Sequence, residues 1–117
     1  MKRTLFLSVL FGMLLVTAHA ENESHQQVDS TLYAYYRWCN NNIRDTAVLS
    51  KADTLFRLSG EKHDIRMQAV ALSVKADHYY FNNALDSLKA WIPRVQDFAR
   101  KHNQLKYYYF TWSRLIL

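Results

Sequence analysis

The sequence predicts an all-α fold, with antiparallel helical hairpins of about five helices stacked side by side behind a leader. Three observations predict it. Half of the 117 residues are hydrophobic, yet the glycines are only Gly12 and Gly60 and the proline only Pro93. A chain so poor in breakers forms long helices with short connections. Apolar residues recur at the helical period beyond residue 28. Within residues 64–81 they form two stripes on opposite sides, where a surface helix has one.

Residues 1–20 read as a secretory signal peptide. Lys2 and Arg3 supply the positive start, Leu5–Val16 the apolar run, and Ala18-His19-Ala20 the small residues that a signal peptidase inspects. The run is shorter than the about 20 residues that span a bilayer, which favours cleavage near Ala20 over an anchor. The mature chain is then periplasmic or otherwise extracytoplasmic. Residues 21–27, ENESHQQ, form a flexible polar lead. Cys39 is the single cysteine, so an exported chain has no internal disulfide. It shares an apolar stripe with Val28, Leu32 and Tyr35/Tyr36 and reads as a small buried hydrophobe.

Residues 28–117 form the helical segment. The first helix starts at Asp29 or Ser30, both good N-caps, and runs to about Cys39. Asn40-Asn41-Asn42 ends it, because asparagine tolerates the left-handed conformation of a helix C-terminus. The second starts after Asp45, carries Val48, Ala52, Leu55 and Phe56 on one face, and is stopped by Gly60. The third, about 64–81, sets Ile65, Ala69, Leu72, Ala76, Tyr79 and Tyr80 on one side. Met67, Val70, Ala71, Val74 and Phe81 lie on the other. Two stripes require neighbours on both sides, as an inner helix of a solenoid has.

Asn82-Asn83 turns the chain, and Asn83 stands at capping-box spacing before Asp86. The fourth helix, about 84–101, buries Leu85, Leu88, Trp91/Ile92, Val95 and Phe98. Pro93 inside it predicts a kink near 89–93 or a division into two shorter helices. The fifth begins near Gln104 and is dense in apolar residues up to Leu115, Ile116 and Leu117. No cap follows, so the segment is expected to be incomplete at its C-terminus, as part of a longer protein or a truncated product. Self-association through Leu115, Ile116 and Leu117 is the other way to cover such a face.

The formal charge is +5, or +3 once Lys2 and Arg3 leave (5 − 2). The cations are spread over helix edges, which argues against a nucleic-acid partner. No Gly-rich loop exists to cradle a phosphate. His63 and His78 would lie roughly 22 Å apart on one helix at about 1.5 Å per residue, and no His-x3-His or paired-Cys spacing occurs, so no metal site is expected. Asp77 and Asp86 flank the Asn82-Asn83 turn and read as solvated helix-end charges. Cys39 has no histidine near it in sequence. No catalytic residue and no cofactor are expected, and the chain reads as a non-enzyme.

Helix–turn–helix units of about 34 residues suggest tetratricopeptide repeats. Placing the repeat's tyrosine on Tyr79 puts Leu72 in its tryptophan slot and Lys75-Ala76 in its Leu-Gly slots. Leu88 and Ile92 take the later Ala and Phe slots, and Arg100 the Pro slot. Lys75 and Arg100 depart from the pattern. The wider order is a signal peptide, then LYAYYRWCNNN, then ADTLFRLSGEKHDIRMQAVALSVKADHYYFNNALDSLKAWIPRVQDFARK, then QLKYYYFTWSRLIL. It resembles the extracytoplasmic N-terminal region of bacterial membrane sensor histidine kinases and related regulators with tetratricopeptide-like sensor domains. The resemblance covers nearly the whole mature chain and implies a superhelix that senses or binds, followed in that family by a membrane span and a cytoplasmic output. Those later parts have no counterpart in this sequence, so no catalytic residue is carried over.

The aromatic residues are the candidate partner-binding surface: Tyr79 and Tyr80 at the end of the third helix, and Tyr107, Tyr108, Tyr109 and Trp112 in the fifth. Consecutive tyrosines point in successive directions, so some face solvent and can meet a protein or peptide partner. The expected function is a non-catalytic sensor or interaction segment of an exported or membrane-anchored signalling protein. The alternative is a free-standing secreted helical binding module.

Overall fold

The computed structural model describes residues 28–115, all of whose regular structure is helical. Five helices follow one another: α1 (Ser30–Asn41), α2 (Ala47–Glu61), α3 (Ile65–Phe81), α4 (Leu85–Lys101) and α5 (Leu105–Leu115). The expected leader and polar lead, and Ile116 and Leu117, lie outside the described residues. Each helix packs on the next, and the short connections make such neighbours antiparallel. Helix α3 also touches α1 and α5, so these three form one layer, and α2 and α4 lie over it.

The local chemistry explains the helix ends. Asp29 caps α1, its carboxylate accepting from the backbone N–H of Thr31 at 2.9 Å and Leu32 at 3.3 Å. Asp45 accepts from Ala47 N–H at 2.9 Å just before α2, and Asp64 from Met67 N–H at 3.0 Å at the start of α3. The three later turns share one geometry. His63, Asn83 and Asn103 each adopt φ 56°, the left-handed region. The following N–H groups of Asp64, Ala84 and Gln104 reach back to the carbonyls of Ser59, Tyr79 and Ala99 at 2.7–2.8 Å. This is the Schellman closure, which satisfies carbonyls that a helix end leaves open.

Several expectations are corrected here. Asn40–Asn42 does end α1, whose last residue is Asn41 and C-cap Asn42, but none of the three is left-handed. Gly60 does not stop α2. It lies inside the helix, and a Cβ there would come within 2.7 Å of the Gln68 amide nitrogen. The glycine admits a close approach of α3, and the left-handed turn belongs to His63. Asn83 is no N-cap either, being the left-handed residue after α3, and α4 starts without a side-chain cap. Pro93 does not divide its helix: α4 is a single helix with an exposed Pro93 inside it.

The double-faced third helix is the centre of the packing. On one side Met67 and Ala71 join Leu32 and Leu55, while Val74 joins Cys39, Val48 and Ala52. On the other, Ala76 packs with Leu88 and Ile92, flanked by Tyr79 and Tyr80. Leu72 and Val74 are both buried although they point to different neighbours. The stripes overreach at their ends, where Ile65 and Phe81 are exposed. Cys39 is buried and unpaired by any disulfide. Its thiol pKa is pushed up by burial, which keeps the sulfur protonated and unreactive.

Candidate functional site

The aromatic residues singled out from the sequence divide into two environments. Tyr79 and Tyr80 are half-buried against the Ala76–Leu88–Ile92 cluster. The Tyr80 ring is covered by the Arg114 guanidinium, 4.6 Å from its centroid, so both are held largely inside the α3–α4–α5 packing. Tyr107 is also half-buried. Burial raises its phenol pKa, and the nearby Arg66 charge pulls it back. Tyr108, Tyr109 and Trp112 lie together on α5, with Tyr108 edge-on to Tyr109 at 5.5 Å and to Trp112 at 6.5 Å. Tyr109 is 65% and Trp112 50% exposed. Arg100 stands over Tyr108 at 5.6 Å. This aromatic patch with a cation at its edge has the composition of an interface anchor.

The rigidity of the patch comes from beneath. Thr111, fully buried, donates its hydroxyl to the Tyr108 carbonyl at 2.6 Å and accepts from the Gln96 amide at 3.0 Å. That pair fixes α5 on α4. On the neighbouring edge, Arg114 Nε donates to the Asp77 carboxylate at 2.9 Å. Asp77 is therefore not the solvated helix-end charge that its position suggests: its side chain is three-quarters covered and paired across the packing. Its partner is 37 positions away, so no local spacing signals the pair. Asp86, by contrast, is exposed.

A second feature escaped the sequence reading. Between α2 and α4, over α3, a groove of about 230 Å³ is lined by Ala52, Asp53, Phe56, Ala71, Leu72, Lys75, Trp91 and Arg94. The Trp91 indole N–H donates to the Leu72 carbonyl at 2.8 Å, which locks the ring as one wall. Lys75 Nζ is 2.9 Å from the Asp53 carboxylate and 4.1 Å from the Trp91 ring centroid. In the sequence Lys75 is only an irregularity in an apolar repeat slot; its role is visible once Asp53 and Trp91 converge on it.

His78 is buried, its Nδ1 2.7 Å from the Ile43 carbonyl, and the Asn82 amide donates to the Arg44 carbonyl at 3.1 Å. Both tie α3 to the α1–α2 connection, and the ring is spent on structure. Among the described residues no three His, Cys, Asp or Glu side chains cluster as metal ligands. No helix among them is long and apolar enough to cross a membrane. Compared with protein-family models, curated proteins and solved structures, the chain matches none.

Proposed function

We propose that this chain is a non-catalytic interaction segment, an array of tetratricopeptide-like hairpins from an exported or membrane-anchored bacterial signalling protein. The observation that carries the reading is the aromatic patch of exposed Tyr109 and Trp112 with half-buried Tyr108 between them, mounted on a helix anchored from below by Thr111 and Gln96. Ring surface on a rigid support loses little conformational entropy when a partner covers it. The layering of α1, α3 and α5 beneath α2 and α4 supports a solenoid-like array. Helices α3 and α4 are 17 residues each, so with its turns the two-helix unit is longer than the about 34 residues of a tetratricopeptide repeat.

Site-specific photo-cross-linking tests the reading. A photoreactive residue at Tyr109 in the native cell is expected to give a discrete adduct with a protein partner. The same residue at exposed Ser50 on α2 is expected to give none. No adduct at Tyr109, or the same adduct from both positions, would count against an α5 interface. The adduct's fractionation with the envelope or the cytoplasm tests the extracytoplasmic location.

A further inference from the structure

We propose that the groove between α2 and α4 binds a small organic carboxylate carrying a flat apolar body, a single-ring aromatic acid being the simplest case. The charges point to an anion. Two cations converge on one indole: Lys75 Nζ at 4.1 Å and the Arg94 guanidinium at 4.9 Å from the Trp91 centroid. Among the described residues that line the groove one carboxylate, Asp53, answers them, and it is taken by Lys75 at 2.9 Å. Arg94 makes no ion pair among the described residues, so the groove keeps an excess positive charge. A guanidinium presents parallel N–H donors that match a carboxylate in a two-pronged contact.

The apolar half of the ligand follows from the remaining walls. Phe56 and Leu72 line the groove as its apolar wall, beside the Trp91 ring that carries the two cations. That ring is fixed before any ligand arrives, because its N–H is bonded to the Leu72 carbonyl at 2.8 Å. Lys75 is equally set: its side chain is 14% exposed, whereas its partner Asp53 is 66% exposed and faces solvent. A preformed site loses less on binding than one that must be ordered. The volume of about 230 Å³ is below the range of about 300–1,000 Å³ usual for larger ligands, which restricts the occupant to a small one. The groove uses none of the α5 aromatic residues, so it stands independently of the partner interface.

The test follows the indole N–H resonances of the purified chain by ¹⁵N–¹H NMR at neutral pH and constant ionic strength, with benzoate, indole-3-acetate and uncharged benzyl alcohol as probes. Trp38 and Trp112 serve as internal references for Trp91. A saturable shift of the Trp91 signal with either acid, the other two indoles staying in place, is the expected result. Benzyl alcohol is expected to bind at least about tenfold more weakly, and Arg94→Gln to weaken the acids by about tenfold or more, the scale of one charge-assisted contact. Arg94 is exposed, so the variant should keep its helical circular dichroism. If it does not, the comparison of acid with alcohol on the unaltered chain still decides. An immobile Trp91 signal, equal shifts of all three indoles, or alcohol binding as tightly as acid would overturn the proposal.

Discussion

At Asp77 two opposing effects act on one carboxyl group. Burial pushes its pKa above the ordinary 3.8, and the Arg114 charge and hydrogen bond pull it back without cancelling the rise. A native pKa above the unfolded one means that the folded state holds the proton more tightly. Asp77 thus contributes stability in full below about pH 3.8 and loses it as pH rises through the native value. Asp29 behaves in the opposite sense. Its hydrogen bond from Lys62 and its N-cap bonds hold the carboxyl low, so its contribution is present above 3.8 and lost as pH falls through the lowered value. Carboxyl-carbon NMR titration is expected to place Asp77 above 3.8, and Arg114→Met to move it higher still. A native value at or below 3.8, or no movement in the variant, would contradict this account. Nothing in the neighbouring residues announces the pair, whereas the capping role of Asp29 is local chemistry and legible from the sequence.

The helix ends show what a sequence does and does not disclose about an element. Asn83 and Asn103 fall where asparagine's tolerance of the left-handed region is useful, and the breaks there are readable. Gly60 misleads for the same reason: a glycine near a helix end suggests a stop, while its actual service is to clear space for Gln68. Whether a glycine serves dihedral freedom or a close approach depends on a neighbour that only the fold brings near. His63 then carries φ 56°, a left-handed conformation that glycine adopts without a Cβ penalty. Replacing His63 with glycine is expected to raise unfolding stability by about 0.5–1 kcal/mol, relief of the left-handed strain exceeding the added freedom of the unfolded chain. Asn83→Val is expected to lower it by about 1–2 kcal/mol, because a β-branched residue resists the left-handed region. Urea denaturation measures both. Equal stabilities for the two variants would contradict the shared turn geometry.

Across the whole molecule, α3 is in contact with all four other helices, whereas α1 and α5 each border two. The opposed stripes of α3 made that central position legible, because Met67 and Val74 on one side and Ala76 on the other each need a partner. Which helices share a layer was less legible, since it depends on contacts such as Arg114 with Asp77 that skip a helix along the chain. Local opening of an array is least costly at its ends. Hydrogen exchange followed by mass spectrometry is therefore expected to find the slowest amides in α3 and faster ones in α1 and α5. Slowest exchange in α5 would contradict this order.

The recurrent turn has a further consequence for how such a chain can change length. Helices α3, α4 and α5 begin at residues 65, 85 and 105, and the joints before them are superimposable in their bonding. Copying one helix with its joint would reverse the direction of every downstream helix and exchange the two layers. Copying residues 65–104 as a unit would restore both, so the joints make the pair, rather than the single helix, the increment by which this architecture can grow.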